Sequence, residues 1–320
     1  MKPITIKEIK EAIKDYNLGE LISIKKLKRR LEDLQPSFIL KTTKGKYFLK
    51  QYWEINENIE KGVEFNLFLQ QKKYPCNKII LDKNKKLITK YQKYNFSIFE
   101  FMSYKEKYNL TKKEIYEYGK GLARLHSFSK NMKNLKENHS PKDYYNEFKK
   151  GLILTKKAPR KIKETYKKIS LEYEKSVNKI RELPRGICHV EYTPQHTRYS
   201  KGKLTAVIDW DLISKGYFLY DIGTAVSVYA KYNKIEFDKI KTFLNGYESI
   251  RKLTPKEKSL LFEAIELGLF KFITWGLDKE EVKKSGWVGV KQANYLIDFG
   301  KDKFLESPYG RYAYIITAKK

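Results

Sequence analysis

The 320-residue chain lacks several features that define large protein classes. It has only two cysteines, Cys76 and Cys188, which cannot form a disulfide framework or a four-thiolate metal site. The longest uncharged apolar stretch, Ile222–Ala230, is far shorter than the roughly 18–20 residues of a membrane-spanning helix. The first 18 residues mix charged side chains with Ile and Leu, so no secretory signal peptide is predicted. We therefore expect a soluble, intracellular protein.

Common nucleotide-binding motifs are also missing. Gly45-Lys46 and Gly202-Lys203 lack the earlier glycine of a P-loop, and no Gly-x-Gly-x-x-Gly occurs. These absences argue against P-loop and Rossmann proteins. The chain contains no internal repeat, low-complexity tract or Pro/Gly-rich linker either.

Arginine is scarce although the chain is strongly basic. Lys and Arg number 67 against 38 Asp and Glu, a formal charge of +29, yet only nine of these cations are Arg. Nucleic-acid readers favour the guanidinium group, and the lysines are spread along the whole chain, as an AT-rich genome would produce. We favour a solvated surface over nucleic-acid binding, which would require the lysines to gather on one face. A positive surface would still attract a nucleotide triphosphate.

The composition and hydrophobic patterns predict a folded protein with two lobes. With 41% hydrophobic and 14% aromatic residues, disorder as the main state is excluded, and the length allows one large domain or two coupled lobes. In the first third, period-two patterns and a helical stripe predict strands over 38–42, 46–52, 78–81, 86–89 and 96–102, with a helix over 55–71.

Beyond residue 103 the pattern becomes mostly helical. Helices are predicted around 115–125, over 140–182 and over 260–277, the last opened by a capping box at Thr254. A strand-like segment, 186–212, interrupts them. We therefore predict an α+β fold, with a small antiparallel-sheet lobe over residues 1–102 and a larger helical lobe over residues 103–320.

Reactive side chains are densest between residues 188 and 211. Phosphoryl transfer needs a carboxylate that accepts the acceptor's proton and ligands for Mg²⁺. Protein kinases supply these groups as His-x-Asp, four residues, then Asn, followed one hairpin later by a metal-binding Asp. In this chain His189-x-Glu191, four residues and then His196 reproduce the spacing, and Asp209 follows thirteen residues later.

With these motifs the sequence resembles the aminoglycoside phosphotransferase superfamily, small-molecule kinases of protein-kinase-like fold that include choline kinase and type II homoserine kinase. The resemblance covers most of the chain. Gly45–Lys50 resembles the family's phosphate-binding strand, and Ile98–Met102 resembles its hinge strand. Leu122–His126 is typical of the helix before the catalytic loop, and Tyr220–Ile222 resembles the motif that braces this loop. Phe243–Leu261 is similar to the homoserine kinase branch in particular.

The resemblance implies a role for each of these positions. Glu191 would be the base and His189 its structural support in the catalytic loop. Asp209 and His196 would hold Mg²⁺, or Mn²⁺, and Asp211 is either a second metal contact or a solvated neighbour. Residues expected to bind ATP are Lys50, its partner Glu64 (with Glu60 as the competing choice), Glu100 and Met102. Residues 140–182 and the helices after 254 would wall the acceptor pocket.

Three departures from the family pattern leave a second hypothesis open. The family's His-Gly-Asp is His189-Val190-Glu191 here, its metal-binding Asn is His196, and the expected phosphate-covering loop, between Leu27 and Ser37, has no glycine. The leading hypothesis is an ATP-dependent phosphotransferase of the bacterial cytoplasm that acts on a hydroxyl group of a small molecule. The alternative is a pseudokinase or a structural protein of spore-coat type with the same fold. Neither the acceptor nor an oligomeric state can be read from the sequence.

Overall fold

The structure is a computed structural model that describes residues 3–27, 35–102, 107–128, 141–180, 182–231, 233–278 and 283–307. It divides into two compact units: Met1–Lys105 with Thr205–Ile213, and Glu106–Leu204 with Ser214–Lys320. Most of the expected phosphate-covering loop lies outside the described residues. Within them, no helix is long and apolar enough to cross a membrane.

Among the described residues, the first unit is an antiparallel sheet with two α-helices. Its strands are β1 (Leu21–Lys26), β2 (Ser37–Thr42), β3 (Gly45–Tyr52), β4 (Ile79–Ile80), β5 (Thr89–Tyr91) and β6 (Tyr94–Glu100). The order is β1-β2-β3-β6-β4, and β5 also pairs with β6. Helix α1 (Ile6–Ala12) precedes the sheet, and α2 (Glu57–Gln71) follows β3. The predicted hairpin and the predicted helix after it are confirmed.

Alternation along the strands builds two apolar layers in this unit. Phe38, Leu40 and Leu49 pack in one cluster with Ile9 of α1, and Tyr52 packs in another with α2 residues. The sequence did not predict β1 because only every third of its residues is partly buried, which leaves no period-two signal.

Residues 205–213 belong to this first unit although they lie far along the chain. The amide of Val207 donates to the carbonyl of Pro75 at 2.9 Å, and Trp210 packs edge-on against Phe65. Gly62 of α2 permits this approach, because a Cβ there would lie 2.2 Å from the Trp210 carbonyl oxygen. The predicted boundary between the two lobes at residue 102 stays a prediction, because the first unit also contains residues 205–213.

The second unit is mainly helical. Its helices are α3 (Lys112–Ser127), α4 (Pro141–Leu154), α5 (Arg160–Lys179), α6 (Phe218–Ser227), α7 (Phe237–Glu248), α8 (Pro255–Ser259), α9 (Leu261–Asp278), α10 (Lys283–Phe299) and α11 (Lys301–Glu306). Its short strands are β7 (Arg185–Cys188), β8 (Thr197–Ser200), β10 (Ser214–Tyr217), β11 (Ala230–Lys231) and β12 (Lys234–Ile235), while β9 (Lys203–Val207) runs on into the first unit. The antiparallel pairing of β7 with β10 places the loop after β7 beside α6.

Glycines allow the central helices of this unit to pack closely. A Cβ at Gly223 of α6 would lie 2.1 Å from the Ala264 carbonyl of α9, so only glycine lets these two helices meet. The capping box at Thr254, predicted from sequence, is confirmed. Together the sheet unit and the helical unit confirm the predicted α+β class.

Candidate active site

In the first unit a lysine is bound by two aspartates. The Lys50 ammonium, on β3, lies 2.8 Å from Asp209 Oδ1 and 2.7 Å from Asp211 Oδ2. The Lys50 side chain is only 16% exposed. Burial disfavours its charged form, but the two carboxylates raise the pKa of Lys50 well above its usual range. The ammonium therefore stays charged and acts as the counter-ion of both aspartates.

The backbone at Asp209 turns sharply after the apolar strand β9. Asp209 has φ +67°, in the left-handed region that Asp tolerates better than most residues. Its side chain is 36% exposed. Asp211 pairs directly with Lys50, and both predictions for it, a second metal contact and a solvated neighbour of the site, stay predictions. The sequence indicated this pairing only by a second acidic residue two positions after Asp209.

The structure does not form the expected ion pair between Lys50 and Glu64. Glu64 instead accepts from Lys61 at 2.9 Å, three residues earlier on α2, because these two side chains share an exposed helix face. Glu100 is exposed at the end of β6 and pairs with Lys78 at 3.3 Å, and Met102 is half-buried just after it. The nucleotide-binding roles of these residues remain predictions.

In the second unit a buried aspartate holds the loop after β7. The Asp221 carboxylate, on α6, accepts the backbone N–H groups of His189 and Val190, each at 2.7 Å. The His126 ring contributes a further contact at 3.3 Å. Burial alone would raise the pKa of Asp221, but the bonds from His126 and the His189 amide lower it overall. The expectation that Asp221 braces this loop is confirmed.

His126 of α3 is fully buried. Burial lowers the pKa of His126, so the ring is neutral. Its Nδ1 lies 2.6 Å from the Tyr247 hydroxyl. A ring that donates from Nε2 to Asp221 and accepts at Nδ1 from Tyr247 satisfies all three groups. Cys188 is also fully buried, which raises the pKa of its thiol.

The loop backbone is strained at Val190. Its φ of +76° is a rare conformation for a β-branched residue, at the position where the resembling family has glycine. The Lys271 ammonium of α9 donates to the Val190 carbonyl at 3.0 Å and lies 3.4 Å from Glu191 Oε1. Sequence reasoning missed Lys271, although it is the sole cationic residue in the sequence of α9.

His196 is oriented by the same loop. Its Nδ1 lies 2.8 Å from the Glu191 carbonyl oxygen. Because a carbonyl only accepts, Nδ1 carries the proton and a neutral ring keeps its lone pair on Nε2. Metal-binding histidines are commonly oriented by such a bond. His189, by contrast, is completely buried, which fits the structural support predicted for it.

A family model described as the phosphotransferase enzyme family (APH) matches residues 28–253. The chain belongs to this family. It is 26% identical over 274 residues to a homoserine kinase of Caulobacter vibrioides, across 81% of this chain and 82% of that protein. A homoserine kinase of Neisseria meningitidis serogroup B is 32% identical over 92 residues, across 28% of this chain and 30% of that protein.

Solved structures of small-molecule kinases share the fold. A microcompartment-associated aminopropanol kinase superposes with a TM-score of 0.72 at 15% identity, covering 92% of this chain and 97% of that one. A spectinomycin phosphotransferase, solved with ADP and spectinomycin, gives 0.66 at 14% identity, with 94% and 99% covered. The predicted protein-kinase-like α+β fold and family resemblance are confirmed, and nothing in these comparisons favours the pseudokinase alternative.

Proposed function

We propose that this family member transfers the γ-phosphate of ATP to a hydroxyl group of a small molecule, and that homoserine is the first acceptor to test. The observation that carries the proposal is the pair of carboxylates, Asp209 and Asp211, gathered on the Lys50 ammonium. The choice of acceptor is supported by the homoserine kinases that are similar over about four-fifths of this chain. Homoserine has the hydroxyl group that this chemistry requires.

The cluster around Lys50 fits a divalent cation. Two carboxylate oxygens already surround one positive charge within 2.8 Å of it, and oxygen ligands are those that Mg²⁺ prefers. Mg²⁺, or Mn²⁺, would be held by Asp209 with Asp211, and would neutralise charge on the transferred phosphate. Lys50, relieved of its role as counter-ion, would then bind the α- and β-phosphates of ATP.

The second unit would supply the remaining groups. Glu191 would accept the proton of the acceptor hydroxyl, His189 would support its loop, and His196 would offer Nε2 as a further metal ligand. Imidazole nitrogen favours Mn²⁺ more than an amide oxygen does. In this proposal residues 1–102 form the nucleotide lobe, where Glu100 and Met102 line the adenine. Residues 103–320 bind the acceptor.

The test is release of ADP from ATP and Mg²⁺ or Mn²⁺ in the presence of homoserine, small amino alcohols and aminoglycosides. Asp209→Ala should lower turnover more than about 100-fold, because a metal ligand contributes several kcal/mol to the transition state. Asp302→Ala, on the exposed surface of α11, is the matched control and should leave turnover unchanged.

Two results would contradict the proposal. Unchanged turnover in Asp209→Ala would remove Asp209 from the metal site. Nucleotide binding in a thermal-shift assay, with no ADP formed from any acceptor, would instead support the pseudokinase alternative.

A further inference from the structure

Lys271 occupies an unusual position for a lysine. Helix α9 is largely apolar, and its sequence contains no other cationic residue. The Lys271 side chain is only 19% exposed, although lysine is rarely buried without compensation. The compensation comes from the Val190 carbonyl at 3.0 Å and the Glu191 carboxylate at 3.4 Å. A single ammonium therefore contacts two consecutive residues of the loop.

This loop needs more support than its counterpart in the resembling family. Val190 is strained at φ +76°, and such backbone persists only where the surroundings hold it. Glu191 has one more rotatable bond than the family's Asp, so its carboxylate is less restricted. Asp221 holds the amide side of the strained residue, but it does not hold the Val190 carbonyl or the Glu191 side chain.

We propose that Lys271 is a positioning residue, which holds the Glu191 carboxylate and the Val190 peptide in the geometry required for phosphoryl transfer. Helix α9 thereby sets the direction of the base, in compensation for the longer Glu side chain. This inference rests on the proposed function, because it assigns Glu191 as the base. Misplacement of a reacting group by about 1 Å is enough to reduce a rate roughly 100-fold.

Steady-state kinetics of Lys271→Met and Lys271→Arg test the proposal. Lys271→Met should lower kcat roughly 10- to 100-fold, as expected when a reacting group is misplaced by up to about 1 Å, with KM for ATP and acceptor within about twofold of the original values. Lys271→Arg, which retains charge and donors, should restore most of the lost kcat. The control is Lys239→Met on α7, whose ion pair with Glu236 at 3.0 Å lies outside the loop.

The same substitution in a Glu191→Gln background separates positioning from other effects. If Lys271 acts through Glu191, then Lys271→Met should cause little further loss of kcat there. A full additional loss, or an Arg variant as impaired as the Met variant, would overturn the inference.

Hydrogen exchange supplies a readout that needs no turnover. Lys271→Met should accelerate exchange of the His189 and Val190 amides at least about tenfold, since their bonds to Asp221 open with the loop, while the Ala264 amide of α9 changes little. Equal acceleration at all three amides would mean a general loss of stability and would overturn the inference, as would no acceleration at all. If Lys271→Met does not fold, Lys271→Gln is measured by the same criteria.

A chain that forms no ADP with any acceptor would refute the proposed function. The exchange measurement would still decide whether Lys271 holds the loop, so the two failures are distinguishable.

Discussion

The segments around Asp209 and Val190 carry most of the proposed chemistry, and both contain a non-glycine residue with left-handed backbone. Asp209 has φ +67° and Val190 has φ +76°. Aspartate visits this region readily, whereas a β-branched residue does so only under strain. The two residues have similar φ values, but this backbone conformation costs more free energy for Val190 than for Asp209.

The residue with the more strained backbone, Val190, is also the more buried and has more charged partners. Val190 is almost fully buried, and a carboxylate and an ammonium bind its amide and its carbonyl. Such charged hydrogen bonds contribute about 1.5–3 kcal/mol each, enough to offset a strain of about 1–3 kcal/mol. Asp209 is partly exposed and has an ion pair with Lys50. The Val190 segment is therefore held by two charged hydrogen bonds, whereas the Asp209 side chain is held by a partly exposed ion pair.

The largest expected loss of stability follows from removing the buried Asp221 carboxylate, which holds the loop after β7. Asp221→Asn should lower the free energy of unfolding by about 3–5 kcal/mol, because breaking a buried, charged network leaves donors without an acceptor. Asp209→Asn should change the same quantity by less than about 1 kcal/mol, as expected for a partly exposed ion pair. Urea unfolding of both variants at pH 7 measures the difference. Equal losses of unfolding free energy would contradict the expectation that the Val190 segment is more firmly held than the Asp209 segment.

The pH dependence of this stabilisation has a defined sign. The pKa of Asp221 is lowered below its usual value of 3.8. Its stabilisation is therefore present at neutral pH and is lost as the pH falls through the pKa of the folded state.

Another buried carboxylate, Glu266 of α9, offers a comparison with Asp221 because fewer hydrogen-bond donors compensate its burial. It accepts from Ser176 at 2.8 Å, but burial dominates and raises the pKa of Glu266 to about 7. Since the folded pKa exceeds the unfolded value of 4.5, stability is lost as the pH rises from about 4.5 to 7. This shift corresponds to up to about 3 kcal/mol.

Glu266→Gln should therefore raise the free energy of unfolding by up to about 3 kcal/mol at pH 8, and by much less at pH 5. Glu174→Gln, on the exposed face of α5, should have no effect at either pH. Urea unfolding at the two pH values provides the measurement, and a pH-independent gain would contradict the assignment.

The smallest effect is expected for Val190→Gly. Relief of strain, about 1–3 kcal/mol, opposes the loss of a buried side chain, about 1.5–3 kcal/mol, so the free energy of unfolding should change by less than about 1 kcal/mol. The matched control is Val207→Gly, also fully buried but without positive φ, which should cost about 3 kcal/mol. Equal losses measured by urea unfolding would show that Val190 is not strained.

Much of the local structure could be predicted from the sequence. The hairpin around Gly45, helices α2, α3 and α9 and the Thr254 capping box are encoded in periodicity and capping residues that are close along the chain. The sequence did not predict β1, and the ion pair between Lys50 and Glu64 is wrong in this structure. That pairing depended on competition among several carboxylates, which spacing cannot rank.

The sequence by itself determined the family, the α+β class and the order of the candidate residues, because motif spacing and hydrophobic period are properties of short stretches of chain. Tertiary structure alone decided that Asp209 and Asp211 pair with Lys50 and that Lys271 contacts Val190 and Glu191. These contacts join residues 159 and 81 positions apart. Their formation depends on strand β3 and helix α9 being fixed by packing, which no local pattern specifies.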